Sequence, residues 1–416
     1  MVYKMINKCY SYSFILLLIA FVSCQEDKSE SIEFWTFLSE PNQFEALNSQ
    51  INKFEESTGI DVNVTRLSWA DGKTKIIAGF NSGTGPDILE VGSDWVSQFA
   101  SQDIFDTLVI GSISDSYFEY TLEAGTHKDV LYAIPWYIDS RPVFLNLDLL
   151  SRYYEENSMF LQDTISFEHF YRTIYWKQLL DINHKIDGKY LIGVNGPDRH
   201  RLYKKVLPMI WSAGGSIFQD GSFGFQSPIV EEIYEFYASL SKTNLVESQK
   251  NLDNEFLKGN IAILNSGSWL LGKLQNQNSF KFTTVEMFGF NKSDKGVAFA
   301  GGEYLAVNSQ SIKKDKAKLL LEFLTIDDTV LALADSISSF GFPATKAGLN
   351  SSIEKAQGQK RVFAKQLENS KMTPASEYWL QIEPLFEESI EQVIYNKLTA
   401  KQALTKLEKE IKNVQD

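Results

Sequence analysis

The stretch Ile134-Pro135-Trp136-Tyr137-Ile138-Asp139-Ser140-Arg141 gathers the groups that a cleft for a polar ligand needs. Two adjacent aromatics offer flat apolar faces, Asp139 offers acceptor oxygens, Arg141 offers a rigid fork of donors, and Pro135 restricts the backbone ahead of them. Asp94 is a second carboxylate able to accept several hydrogen bonds; its competing use is a favourable charge at a helix start beside Ser93. Glu303 follows Gly301-Gly302, two residues without side chains that let a ligand come close to the backbone. The eight tryptophans exceed what an ordinary core requires. Trp35, Trp136, Trp211, Trp269, Trp379 and Tyr304 are the candidates, and each could equally fill a core.

Catalytic chemistry finds little support in these residue types. Gly72-Lys73-Thr74 has Leu67 where the leading glycine of a phosphate loop would stand. There is no nucleophile elbow, no Cys-Cys pair and no His-Glu-x-x-His, and His127, His169, His184 and His200 are scattered. Asp94 with Asp139 could act as a glycosidase pair, but paired acids are equally what a hydroxyl-binding cleft needs. No cofactor and no metal site is expected.

The elements that must position these groups begin after a leader. Lys4 and Lys8 precede an apolar run from Phe14 to Val22, the pattern of a secretory signal over residues 1–23. Cys9 lies within it, which leaves Cys24 as a lone exported cysteine. Residues 24–31 are polar and acidic, suiting a solvated tether. Without the two signal lysines, 53 acidic residues face 38 basic ones and the net charge is −15, a surface that repels nucleic acid and anionic headgroups.

Beyond the tether the chain alternates strands and helices, the rhythm of an α/β sheet covered on both faces. A strand at 32–37 is followed by a helix opened by Pro41 and ended by Gly59; strands at 60–64 and 87–91 enclose a helix over 73–80, and Ser93 is placed to cap the next helix. Later come helices at 204–212 and 230–240, a buried strand ending at Leu264, a glycine-led strand at 301–307, and helix from Tyr378 to Val414 with an interruption expected near Pro384.

The order of motifs resembles a known family. Gly85-Pro86-Asp87-Ile88, Pro135 through Asn146, Trp211-Ser212-Ala213-Gly214-Gly215, Phe256 through Leu264, Ser268-Trp269, Gly301-Gly302 and the Trp379 helix fall in the sequence found in bacterial extracellular solute-binding proteins of ABC importers, in the sugar-binding branch that includes maltose-binding protein. The resemblance implies a two-lobe periplasmic-binding-protein fold of type II, each lobe a mixed sheet flanked by helices, with 32–138 plus 296–341 in one lobe, 143–290 plus 345–416 in the other, and hinges near Ser140, Ser293 and Pro343. It implies that Asp94 and Asp139 accept sugar hydroxyls and that Trp269 and Trp379 stack on sugar rings. Ser23-Cys24 resembles a lipoprotein cleavage box, which makes Cys24 the lipid-bearing residue. The expected protein is a monomer at the cell envelope, anchored by that lipid, which passes a carbohydrate to an ABC permease. A non-sugar solute such as a polyamine, and a sensing role, stand beside this reading. Phe144-Leu145 replace the tyrosines that often follow the cleft acid in the family, and Arg141 could bind an acidic group or neutralise Asp139.

Overall fold

The computed structural model describes residues 31–415 apart from 70, 110, 158–165, 183–184, 220–221, 275–278 and 338–339, and apart from the side chains of 112–114. The signal, Cys24 and the tether up to residue 30 lie outside the described residues.

In β1 (Ile32–Thr36) every second side chain is buried, as a strand with two unlike faces requires. Pro41 at the first turn and Gly59 at φ 70° bound α1 (Pro41–Thr58), which sends Leu47, Ile51 and Phe54 inward. The chain continues through β2 (Val62–Arg66), α2 (Gly72–Asn81), β3 (Ile88–Gly92), the short α3 (Val96–Ser101) and β4 (Ala133–Ser140). Then follow β5 (Val143–Asn146), β6 (Lys189–Asn195), α4 (Tyr203–Ser212), α5 (Pro228–Thr243), β7 (Leu245–Glu247), α6 (Gln249–Leu257), β8 (Ile261–Asn265), α7 (Ser268–Leu274) and β9 (Phe282–Val285). The last part holds β10 (Ala298–Val307), β11 (Phe342–Pro343), β12 (Ser370–Lys371), α8 (Trp379–Ile394) and α9 (Ala400–Gln415).

These strands form two mixed sheets. The first runs β11-β4-β10-β3-β1-β2 with β12 paired to β10, and the second runs β7-β6-β8-β5-β9. In the first, β1 lies parallel to β2 and β3 while β10 runs antiparallel to β3 and β4. Only Arg141 and Pro142 separate the last residue of the first sheet's β4 from β5 of the second. The chain returns between Val285 and Ala298.

The buried residues form two cores, and β5, β8 and β10 each contribute to both. Val143 and Leu145 join the core beneath α4, α5 and α8, whereas Phe144 joins the first core with Phe256, Leu270 and Leu274. Within the stretch 345–416, Leu349, Phe363, Leu367 and Met372 pack in the first core, and the residues from Trp379 onward pack in the second.

Two local expectations are corrected. Ser93 does not cap a helix: its N–H donates to the carbonyl of Gly302, and the helix starts three residues later. Pro384 does not interrupt the C-terminal helices; it lies inside α8, and the break comes at Tyr395–Thr399, where Asn396 turns left-handed at φ 54°.

Candidate functional site

Strand β3 is buried along its whole length and carries Glu90, with Asp94 just past its end. Pairing with β10 puts Glu303 opposite Gly92 at the same rim of the first sheet. The start of α4, from the second sheet, arrives against this rim. The Tyr203 hydroxyl donates to Asp94 Oδ2 at 3.5 Å, and Lys204 Nζ lies 3.9 Å from that oxygen.

Helix α8 holds the start of α4 in place. Glu387 accepts the backbone N–H groups of His200, Arg201 and Tyr203 at 3.0, 3.0 and 3.3 Å, satisfying donors that a helix start leaves open. One turn earlier, Glu383 takes a hydrogen bond from the His200 imidazole, which raises the histidine above its ordinary pKa.

Three buried polar atoms around this junction have no hydrogen-bond partner: Glu303 Oε2, Glu383 Oε2 and Trp379 Nε1. Trp379 and Glu383 stand one turn apart on α8, and the Trp379 ring meets Tyr203 edge-on at 5.2 Å. A buried polar group left unpaired costs about 1–3 kcal/mol, so a molecule bringing hydroxyls to these atoms would recover that energy. Burial, with Glu90 and Asp94 nearby, pushes Glu303 well above the usual carboxylate range. Glu90 is fully buried and accepts from Thr36 Oγ1, the Phe37 N–H and the Tyr137 hydroxyl, so it holds the end of β1 in place.

An aromatic platform extends from the first-sheet side. Phe37 stacks on Trp69 with centroids 4.0 Å apart, and Trp95 meets both edge-on at 5.8 and 5.7 Å. Trp69 is 55% exposed, and Lys73 Nζ sits 5.6 Å above the Trp95 ring, drawn electrostatically toward Asp94 and Glu383. Gly72 allows this stack, because a Cβ there would come within 2.4 Å of the Phe37 ring.

Arg141 lies between two other rings, 5.4 Å from Trp269 and 5.0 Å from Phe299. Lys204 approaches the same Phe299 ring at 5.3 Å, and Trp211 stacks on it at 6.3 Å. Trp269 donates its indole N–H to Asp253 at 2.7 Å, which fixes the ring under the guanidinium.

The expected site residues therefore separate. Asp94, Glu303, Trp379, Arg141, Trp269 and Trp211 gather at the junction of the two sheets. Trp136 is fully buried against Phe34 and Phe340 in the first core, away from the junction, because β4 is an inner strand covered on both faces. Tyr304 is likewise buried, its hydroxyl spent on the Thr121 carbonyl at 2.7 Å. Trp35 points to the opposite face of β1 from Phe34 and fills the space beside Gly79 of α2. Asp139 is committed to the fold: one oxygen takes the Ser140 N–H, and the other takes the Ser268 hydroxyl and N–H at the start of α7. The ion pair of Asp139 with Arg141 is absent among the described contacts.

Sequence reasoning missed Trp69, Trp95, Phe37, Lys73, Tyr203, Lys204 and Glu383. Trp69 carried a usable signal, being a tryptophan in a polar loop between a strand and a helix with no periodicity to bury it. Glu383 could have been found as the acid one turn after Trp379.

The family described as bacterial extracellular solute-binding protein matches residues 49–361. A binding protein of Brucella abortus (strain 2308) is 22% identical over 289 residues, a match that spans 65% of this chain and 65% of that relative. Among solved structures, a cyclic alpha-maltosyl-1,6-maltose binding protein from Arthrobacter globiformis superposes with a TM-score of 0.76 at 19% identity, covering 92% of this chain and 98% of that one. An ABC transporter solute-binding protein from Thermotoga lettingae bound with alpha-D-tagatose gives 0.75 at 20%, covering 93% and 100%. A maltotriose-binding protein from Thermus thermophilus gives 0.71 at 19%, covering 93% and 100%. At these identities the likeness establishes the fold, a two-lobe periplasmic-binding-protein fold of type II.

Proposed function

The chain belongs to the bacterial extracellular solute-binding proteins, and from that premise we propose that it captures a carbohydrate, an oligosaccharide, between its two lobes and passes it to an ABC permease. The observation that carries this reading is the junction itself, where Glu303, Glu383 and Trp379 each present an unpartnered buried polar atom beside the Phe37-Trp69-Trp95 platform, whose Trp69 is exposed. Carboxylates for hydroxyls and indoles for ring faces are what a sugar requires of a site. Structural neighbours that bind maltotetraose and maltotriose support the same ligand class.

The mechanism we propose is a population shift. Contacts from Asp94, Glu303 and the platform on one lobe, and from Tyr203, Trp379 and Glu383 on the other, are made together only when the lobes are closed, so a ligand biases the closed state. Hinging would fall at Arg141–Pro142 and between Val285 and Ala298, close to the lobe boundaries expected from the sequence. Lipidation at Cys24 would keep the monomer at the cell envelope beside its permease. Lys73, Lys204 and Arg141 at the junction weigh against a polyamine, whose cations they would repel.

The test is calorimetric titration of the purified protein with neutral and acidic oligosaccharides, simple polyols and spermidine. Saturable heat from an oligosaccharide supports the reading. Saturation with spermidine alone, or with none of the sugars, contradicts it.

A further inference from the structure

On a chain of formal net charge −13, the sheet junction carries a local positive pole at Arg141. The Arg141 backbone is anchored by its carbonyl, which accepts the Asn265 Nδ2 donor at 2.6 Å, and Pro142 follows it. Its half-buried guanidinium is held between the Trp269 and Phe299 rings, and among the described residues no carboxylate reaches it within 4.0 Å. The neighbouring acid, Asp139, is turned elsewhere, its two oxygens accepting from Ser140 and Ser268. Lys204, on the same Phe299 ring, adds a second positive charge nearby. Lys204 has the Asp94 carboxylate at 3.9 Å, a partner at a distance that the arginine fork lacks among the described residues.

A guanidinium held between aromatic rings with its donors uncommitted is a pre-formed receptor for a planar anion, since the fork matches a carboxylate with two parallel hydrogen bonds. Resting on the carbohydrate reading above, we infer that the ligand is an acidic saccharide whose carboxylate sits on Arg141, as in a uronic acid residue, while its hydroxyls go to Glu303, Glu383 and Asp94. The acids and the cation then divide the sugar between them.

The experiment compares trigalacturonate with its methyl ester, which has the same ring and no charge, by calorimetry on the full chain at low and high salt. The acid is expected to bind about tenfold or more tightly than the ester, the value of one charge-assisted pair, with the gap narrowing as salt rises. The R141Q variant is expected to lose more affinity for the acid than for the ester and so to close the gap. R141K keeps the charge without the fork and should retain part of it. Equal binding of acid and ester by the unaltered protein, or equal losses for both in R141Q, overturns the inference. If the ester or a neutral oligosaccharide binds and the acid is no better, the carbohydrate reading survives without the anionic subsite. If no saccharide binds, both fail.

Discussion

At the scale of single residues, burial decides what each tryptophan can do. Trp379 presents one unpaired N–H toward the junction, but its ring is 1% exposed and packed against Tyr203 and Phe223. Truncating it is expected to cost about 3–5 kcal/mol of stability together with any loss of affinity. Trp69 is the opposite case. Over half exposed and resting on Phe37, it can be removed with little change in melting temperature, while losing a stacking surface worth about 0.5–1.5 kcal/mol, or about 2- to 10-fold in affinity. Thermal melts and sugar titrations of Trp69→Ala and Trp379→Ala check this contrast; a Trp69→Ala protein that melts far lower yet binds normally would assign the platform to the fold. The same distinction explains which candidates were legible. Residue type pointed to Trp269, Arg141 and Glu303, but it also pointed to Trp136 and Tyr304, because an aromatic on an inner strand and one at a cleft have the same letter. Asp139 misled for a related reason: its partner Ser268 lies 129 residues away, and no local pattern reveals that bond.

At the scale of elements, the start of α4 depends on two acids of α8. Burial and the neighbouring Glu383 push Glu387 up to about 7, so it is protonated in folded and unfolded chains alike below pH 4.5. Its ionisation cost then grows as pH rises toward 7, by up to about 3 kcal/mol. His200, raised by its bond to Glu383, contributes stability that is fully present below pH 6.5 and is lost as pH climbs through its raised value. The two effects share a sign. His127, lowered by burial, acts the other way, so the informative quantity is the difference between wild type and variant. His200→Asn, which suits the left-handed backbone at φ 65°, is expected to flatten the fall in melting temperature between pH 6 and 8 relative to wild type. An unchanged pH slope would mean that the imidazole does not stabilise this helix start. Elements were also the most legible level of the sequence. Pro41 and Gly59 marked both ends of α1 through their own backbone limits, and the period of buried residues marked β1 and α5. Pro384 was misread because an interior proline usually breaks a helix; here its missing N–H forfeits one backbone bond, yet the buried face of Ile382, Phe386 and Ile390 carries α8 through it.

At the scale of the whole molecule, the two sheets were readable as alternation of strand and helix, and their order came from the run of motifs along the chain. The division of the core was not readable. Phe144 and its neighbours Val143 and Leu145 differ only in which face of β5 they occupy, and the pairing that sets those faces is made with β8 and β9, more than a hundred residues on. Asp94, just past β3 of the first sheet, meets Tyr203 and Lys204 of α4, a contact across 109 residues that no local pattern reveals. The proposed capture between the lobes predicts that binding shrinks the molecule. Small-angle X-ray scattering of the purified protein, with and without a saccharide that saturates it in calorimetry, measures this directly. The expected result is a smaller radius of gyration in the bound state, with the scattering curve moving toward that of the structure described above; saturable binding with an unchanged curve would contradict capture between the lobes.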